Sequence, residues 1–412
     1  MWQSLAGFFL LLGLAWLLSE DRRRIVWRPV LAGILLQWLL GALLLKVPMV
    51  RQFFLLLNEG VMLLEQATMQ GTAFVFGYLG GGPLPFAETA PGGSYLLAFR
   101  ALPMVLVISA LASLLFYWRI LPWIVRGFSW MLQKSFGIGG ALGLAAASTI
   151  FVGMVEAPLL IRPYLRQMSR GELFAVMATG MATIAGTMMV IYAAILGPVI
   201  PDALGHIMIA SLLSAPAGLT VAMLMVPQPE PPTSGMLDPP HSASSAMDAI
   251  TRGTLEGISL LINIISFLIV LVALVALLNS LLAWLPAWGG EAVTLQRLLG
   301  WLLAPLTWLM GIPWSEAQVA GMLMGEKTVL NEFIAYLHLA RLPEETLSLR
   351  SRLMLTYALC GFANFGSLGI LLGGLGSMVP ERHSELVSLG GRAIIAGTLA
   401  TLMTGAIVGV YY

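Results

Sequence analysis

The chain has 412 residues, of which 58% are hydrophobic and 10% charged, with a net charge of +1. A soluble domain carries about 25% charged residues, so this composition, with a mean hydropathy of +0.90, excludes a soluble fold and points to a protein that crosses a membrane many times. The near-zero charge offers nucleic acid no basic surface, and the single cysteine, Cys360, excludes an internal disulfide and reads as a small buried hydrophobe.

A helix needs about 20 apolar residues to span a bilayer. Runs near 2–19, 28–46, 99–118, 174–197, 204–226, 254–284, 353–375 and 391–411 satisfy this and give eight predicted spans. The first is followed by Glu20-Asp21-Arg22-Arg23-Arg24. A cleaved signal carries its positive charge ahead of the apolar core, so this run is expected to be a first membrane helix with a cytoplasmic arginine cluster behind it. Lys and Arg place both termini outside, because the inside then receives Arg22, Arg23, Arg24, Arg28, Arg119, Arg126, Lys134, Arg162, Arg166, Arg170, Arg252, Arg382 and Arg392. Residues 51–66 predict an interfacial helix before the Gly80-Gly81-Gly82-Pro83 loop, and 291–311 a second one, with Trp301 and Trp308 at the interface. The Pro- and Ser-rich stretch 227–247 predicts a flexible cytoplasmic linker.

Two apolar stretches are interrupted in the middle. Residues 137–168 contain Gly153, Glu156 and Pro158, and residues 314–340 contain Lys327, Asn331 and Glu332. Each is flanked by charges that belong on one side, Lys134 and Arg162 inside, Arg297 and Arg341 outside. Each therefore predicts a re-entrant helical hairpin, since irregular backbone at membrane depth must line a cavity or lie buried in protein. The segments that follow, Thr179-Gly180-Met181-Ala182-Thr183 and Cys360-Gly361-Phe362-Ala363-Asn364, repeat small residues and set Thr183 against Asn364. Hairpin, helix and helix thus occur twice, entering from opposite faces, and such inverted repeats build secondary transporters around a site at the midplane.

A charge at bilayer depth costs roughly 2.5 kcal/mol or more and persists where it meets a cavity, a partner or a substrate. Glu156 and Glu332 are such charges. Asn364 and Ser367, three residues apart, share a helix face. Carboxylate, amide and hydroxyl together could grip the several hydroxyls of a sugar. The bland alternatives are interhelical glue for Asn364 and Ser367, and for Glu332 an ion pair with Lys327, for which Glu326 is the rival partner.

These residues resemble the concentrative nucleoside transporter family. Gly325 through Tyr336 fits its Gly-x-Lys-x-x-x-Asn-Glu-Phe-x-Ala-Tyr signature. Glu156-Ala157-Pro158-Leu159 with Arg162-Pro163-Tyr164 resembles its first hairpin, and Cys360 to Ser367 its seventh helix. The resemblance spans nearly the whole chain. It implies an all-α polytopic membrane protein of eight transmembrane helices plus two re-entrant hairpins in an inverted repeat, working as an elevator and assembled as a homotrimer in the bacterial inner membrane. It divides the chain into scaffold helices with an interfacial helix (1–120), a first transport repeat (121–226), a linker (227–250), a long scaffold helix (251–290) and an interfacial helix with the second transport repeat (291–412).

By the same resemblance, Glu332, Asn364 and Ser367 hold the ribose hydroxyls, while Gly153, Met154, Val155 and Glu156 of the first hairpin, with Met188 of the fourth helix, face the base. Sodium-coupled relatives carry Gln and Thr where this chain has Met154 and Val155, and a smaller Val at Met188. Ribose recognition is thus retained and base recognition altered, with no assignment to purines or pyrimidines. The cation positions are Thr149, Val152, Thr183 and Ile184, with Thr149 in place of Asn and Thr183 in place of Ser. Losing the Asn carbonyl weakens a sodium site, so a proton exchanged at Glu156 or Glu332 is the favoured coupling ion and sodium the alternative. No other cofactor is expected. The second reading keeps the fold and changes the cargo to a nucleobase, a modified nucleoside or another polar solute. The third, an intramembrane enzyme or receptor, lacks support. The four histidines have no metal-ligand spacing, and there is no His-Glu-x-x-His, Gly-x-Ser-x-Gly or Walker motif.

Overall fold

Backbone in a bilayer must satisfy its own hydrogen bonds, which apolar runs do by forming helices. The computed structural model describes residues 2–86, 94, 96–227, 232–233, 243–287 and 292–412, and no described residue lies in a strand. Most of the expected linker lies outside the described residues.

The chain opens with α1 (Trp2–Leu17), α2 (Trp27–Lys46), α3 (Pro48–Phe76), α4 (Leu97–Arg100) and α5 (Met104–Tyr117). The first repeat follows as α6 (Ile120–Phe136), α7 (Gly140–Ser148), α8 (Glu156–Leu159), α9 (Arg170–Ala182), α10 (Gly186–Leu196) and α11 (Ala203–Met225). Then come α12 (Ala246–Leu282) and the second repeat: α13 (Leu295–Met310), α14 (Trp314–Val329), α15 (Glu332–Arg341), α16 (Leu349–Leu359), α17 (Phe365–Met378) and α18 (His383–Tyr411). The interfacial helix expected over 51–66 is thus a longer helix, and the helix expected over 254–284 begins earlier.

The two repeats match element by element. Surface helix α6 ends on Gly137 (φ 67) and α13 on Gly311 (φ 120). A hairpin arm follows each, α7 or α14, and the chain bends by 116° between α13 and α14. The second arms α8 and α15 begin with Glu156 and Glu332, so the two acids occupy equivalent places. A serine N-cap, Ser169 or Ser348, starts the next helix by accepting a backbone N–H.

Two expected spans carry a break, and the first still passes as one apolar span over 170–196. The runs 174–197 and 353–375 are each broken, into α9 and α10 and into α16 and α17. The register also differs from the sequence reading. Thr183 is the C-cap of α9 and its counterpart is Cys360, the C-cap of α16; the counterpart of Asn364, N-cap of α17, is Ala185. Asn364 starts α17 by accepting the Ser367 N–H on its own side-chain oxygen, which favours a break over a continuous helix. Helix α6, the partner of α13, was not foreseen.

Among the described residues six segments are long and apolar enough to span, two of them the pairs α4–α5 and α9–α10, and seven if the bent pair α13–α14 counts as one; α1, at 16 residues, is shorter. Burial separates a centre from a periphery. The apolar windows of α9–α10, α11 and α18 are 83% buried, against 28% for α2 and 0% for α12. Helix α9 packs on α11 and α18, and α18 also on α16 and α1. Helix α12 packs mainly on α5. Their seam is built on Gly253 and Gly257, where a Cβ would meet the Ser109 carbonyl oxygen at 2.5 Å and the Leu106 Cα at 3.0 Å. Small residues four apart let membrane helices approach this closely. Glu20 joins the α1–α2 loop to the core by ion pairs to Arg170 (2.8 Å) and Arg392 (3.3 Å).

Two outcomes follow. Gly253→Leu must push α12 off α5 and is expected to cost about 1–3 kcal/mol, read as a lower apparent melting temperature in detergent; melting with the parent would contradict the seam. The Arg170 hydrogen bond and charge hold the Glu20 carboxyl below its ordinary value. Its contribution is therefore present at neutral pH and lost as the pH falls through the folded value. The parent should lose more of its melting temperature than Glu20→Gln does between neutral pH and about pH 4; equal losses would show that the pair contributes nothing.

Candidate functional site: a carboxylate between two repeats

Glu332 opens α15 directly after its N-cap Asn331, whose side chain accepts the Ile334 N–H. The Glu332 side chain is 4% exposed. An ionised carboxylate so placed needs donors, and two come from different repeats. The Tyr192 hydroxyl on α10 donates to Oε1 at 2.6 Å, and the Asn364 amide donates to Oε2 at 2.9 Å. Bonds of this kind to a charged oxygen are short and strong. Tyr192 is fully buried, with the Tyr336 ring at 4.9 Å and the Phe333 ring at 6.2 Å between centroids. Tyr336 is itself fixed by donating to the Thr356 carbonyl at 2.7 Å. Asn364 uses its other end to accept the Ser367 N–H at 2.7 Å. Glu332, Asn364 and Ser367 are therefore brought together as one hydrogen-bonded unit, as their types suggested.

Sequence reasoning missed Tyr192. The signal was present, because a phenol in a membrane helix must find an acceptor when buried. The ion pair considered for Glu332 is not there. Lys327 donates instead to the Ala358 carbonyl at 2.8 Å and the Thr401 hydroxyl at 3.0 Å. Glu326, the rival partner, faces the His338 Nδ1 at 2.8 Å across hairpin 2.

Hairpin 1 presents a different surface. Gly153 has φ 127, a conformation only glycine adopts readily, and a Cβ there would lie 2.4 Å from the Glu156 Oε2. Glu156 is exposed and makes no hydrogen bond or ion pair to Glu332, Asn364 or Ser367. The two acids thus match in topology without touching. Met154 is buried, near Gly180 of α9, and Val155 sits close to Gly374 of α17. The tip of hairpin 1 therefore lies against the second repeat through α17. Met188 is buried on α10. The side chains of Met154, Val155 and Met188 carry no hydrogen-bonding group beyond a weakly accepting thioether.

The positions expected to hold a cation meet at the first broken helix. Thr149 caps α7, and its carbonyl accepts from the Thr183 hydroxyl at 3.4 Å. The two hydroxyls also donate to the carbonyls of Ala146 (2.9 Å) and Thr179 (2.9 Å), which leaves their lone pairs free. Val152 is half-buried and Ile184 fully buried beside them. This is a set of neutral oxygens, fitting for a hard monovalent cation and unsuited to a soft metal.

Comparison with known proteins covers the same ground. Residues 6–79 match the family described as Na+ dependent nucleoside transporter N-terminus, 98–199 the nucleoside recognition (Gate) family, and 206–409 the Na+ dependent nucleoside transporter C-terminus. Nucleoside permease NupC of Helicobacter pylori is 36% identical over 99% of this chain and 97% of its own. The putative nucleoside permease NupX of Escherichia coli is 34% identical over 99% and 98%. Human solute carrier family 28 member 3 is 35% identical over 99% of this chain, which spans 59% of that longer protein. Among solved structures, CNTnw in an inward-facing substrate-bound state superposes with a TM-score of 0.89 at 36% identity, covering 99% of this chain and 97% of that one.

Tyr192→Phe removes one of the two protein donors from Glu332 while keeping the ring. It is expected to lower stability by about 1–3 kcal/mol, seen as a reduced melting temperature of the purified protein. Unchanged melting would mean that Glu332 does not depend on the phenol.

Proposed function

Since this chain belongs to the concentrative nucleoside transporter family, we propose that it imports nucleosides across the bacterial inner membrane by cation symport. The family and its structural neighbours are transporters, not enzymes. The observation that carries the proposal is the pair of donors on Glu332. A carboxylate offers about four lone-pair sites. Tyr192 and Asn364 take two, and two remain to accept hydroxyl protons; Ser367 is joined to the cluster through its backbone N–H on Asn364. Vicinal sugar hydroxyls suit that arrangement. Glu156, exposed at the tip of hairpin 1, is the group left to meet a polar edge of the base.

The moving part in this reading is the two hairpins with the broken helices behind them, carried against α12 and its neighbours in a homotrimer. Alternating access then displaces the whole site, and the Glu332 cluster stays intact through the cycle. A proton is the favoured coupling ion, supported by buried Glu332, which has no cationic partner within ion-pairing reach. Sodium is the second reading, supported by the oxygens around Thr149 and Thr183. For the cargo, Met154, Val155 and Met188 support weaker discrimination at the base than at the sugar.

Purified protein in liposomes is expected to take up labelled uridine or adenosine under an imposed proton or sodium gradient, with the two gradients applied separately to identify the ion. Glu332→Gln should reduce that uptake on the order of 100-fold or more, because it leaves Tyr192 facing a far weaker acceptor and removes the charge that grips the sugar. Normal transport by the Gln variant would refute the site. Competition by a solute without a sugar, and none by nucleosides, would move the function to a different cargo.

A further inference from the structure

Lys327 is fully buried, yet among the described residues no carboxylate lies within ion-pairing reach of it. Two of its three donors meet a backbone carbonyl, Ala358 O at 2.8 Å, and a hydroxyl, Thr401 Oγ1 at 3.0 Å. The Thr401 hydroxyl passes its own proton to the Thr398 carbonyl, so it faces the ammonium as an acceptor. A buried ammonium satisfied by neutral oxygens is the environment of a bound alkali cation more than that of a structural salt bridge.

The inverted repeat says where this ammonium sits. In the first repeat, the first hairpin arm α7 meets the C-terminal end of α9 at the Thr183–Thr149 contact, which is where the candidate cation oxygens gather. In the second repeat, the first hairpin arm α14 meets the C-terminal end of α16, and the group bridging them is Lys327 on the Ala358 carbonyl. The C-terminal end of a half-helix carries negative partial charge and unpaired carbonyls. In transporters built from broken helices, such ends are where coupling cations bind.

We propose that Lys327 is a tethered cation. Its ammonium neutralises the carbonyl end of α16 in the second repeat, the role that a mobile cation would play at α9 in the first. It holds the break that presents Asn364, and through Asn364 it positions Glu332. A consequence is that the carbonyl end of α16 needs no metal cation from solution. This inference rests on the transport reading for its link to substrate, but its central claim concerns cation occupancy and is testable without transport.

The test compares the parent with Lys327→Ala, which leaves room for a small cation, and Lys327→Met, which keeps the stem and removes the charge. Melting of each purified, monodisperse protein is followed in methylammonium, ammonium and sodium, against choline at equal ionic strength, and uridine binding is measured in parallel. Lys327→Ala is expected to bind uridine on the order of tenfold more weakly in choline and to recover both affinity and melting temperature in methylammonium or a smaller cation. Lys327→Met, with its cavity filled, should stay weak in every salt. A Lys327→Ala protein that no cation restores, or a Lys327→Met protein with parental melting and affinity, would overturn the proposal. If the parent itself binds no nucleoside, the functional reading fails, and the melting arm still decides whether a cation replaces the lysine.

Discussion

A carboxylate withdrawn from water has to be met by hydrogen-bond donors, and at Glu332 those donors come from opposite halves of the protein. Tyr192 belongs to the first repeat and Asn364 to the second. The Tyr192 bond cannot form unless the two repeats lie side by side in the buried centre. The backbone records the same crossing, with the Phe362 N–H donating to the Thr183 carbonyl at 3.2 Å, one break bonded to the other. Burial makes this junction costly to leave unpaired, so it fixes how the repeats pack as much as it prepares a site.

The surrounding architecture serves that junction. Helices α9, α11, α16 and α18 carry apolar and small residues on nearly every face and enclose it, while α12 turns its apolar surface outward and engages α5 through a glycine seam. A closely interlocked centre beside a peripheral helix that packs mainly on α5 suits an elevator, in which the moving body need not rearrange internally. The apolar side chains at the tip of hairpin 1 fit the same logic. They pack against α9 and α17 and leave Glu156 as the polar group exposed there.

Much of this was legible in the linear chain. Apolar run length located the membrane segments, and interrupted runs with charges on one flank located both hairpins. An acid opening the second arm of each hairpin was the reason to suspect a site, and Glu332, Asn364 and Ser367 do form one unit. The breaks within 174–197 and 353–375 were hidden because hydropathy averages over a window and a few extended residues barely change it. Helix α6 escaped because Arg126 and Lys134 break up its apolar run. The partner of Glu332 could not be read from spacing, because Tyr192 is 140 residues away, and Lys327 was matched to acids when its actual acceptors, a carbonyl and a hydroxyl, leave no charge signature.

The most direct measurement is an experimental structure of the protein with a nucleoside bound. Ribose hydroxyls are expected within hydrogen-bonding distance of the Glu332 carboxylate and of Asn364 or Ser367, with the Tyr192 hydroxyl still on Glu332. A nucleoside seated elsewhere, or a Glu332 carboxylate that touches no ligand atom in the complex, would contradict the central claim.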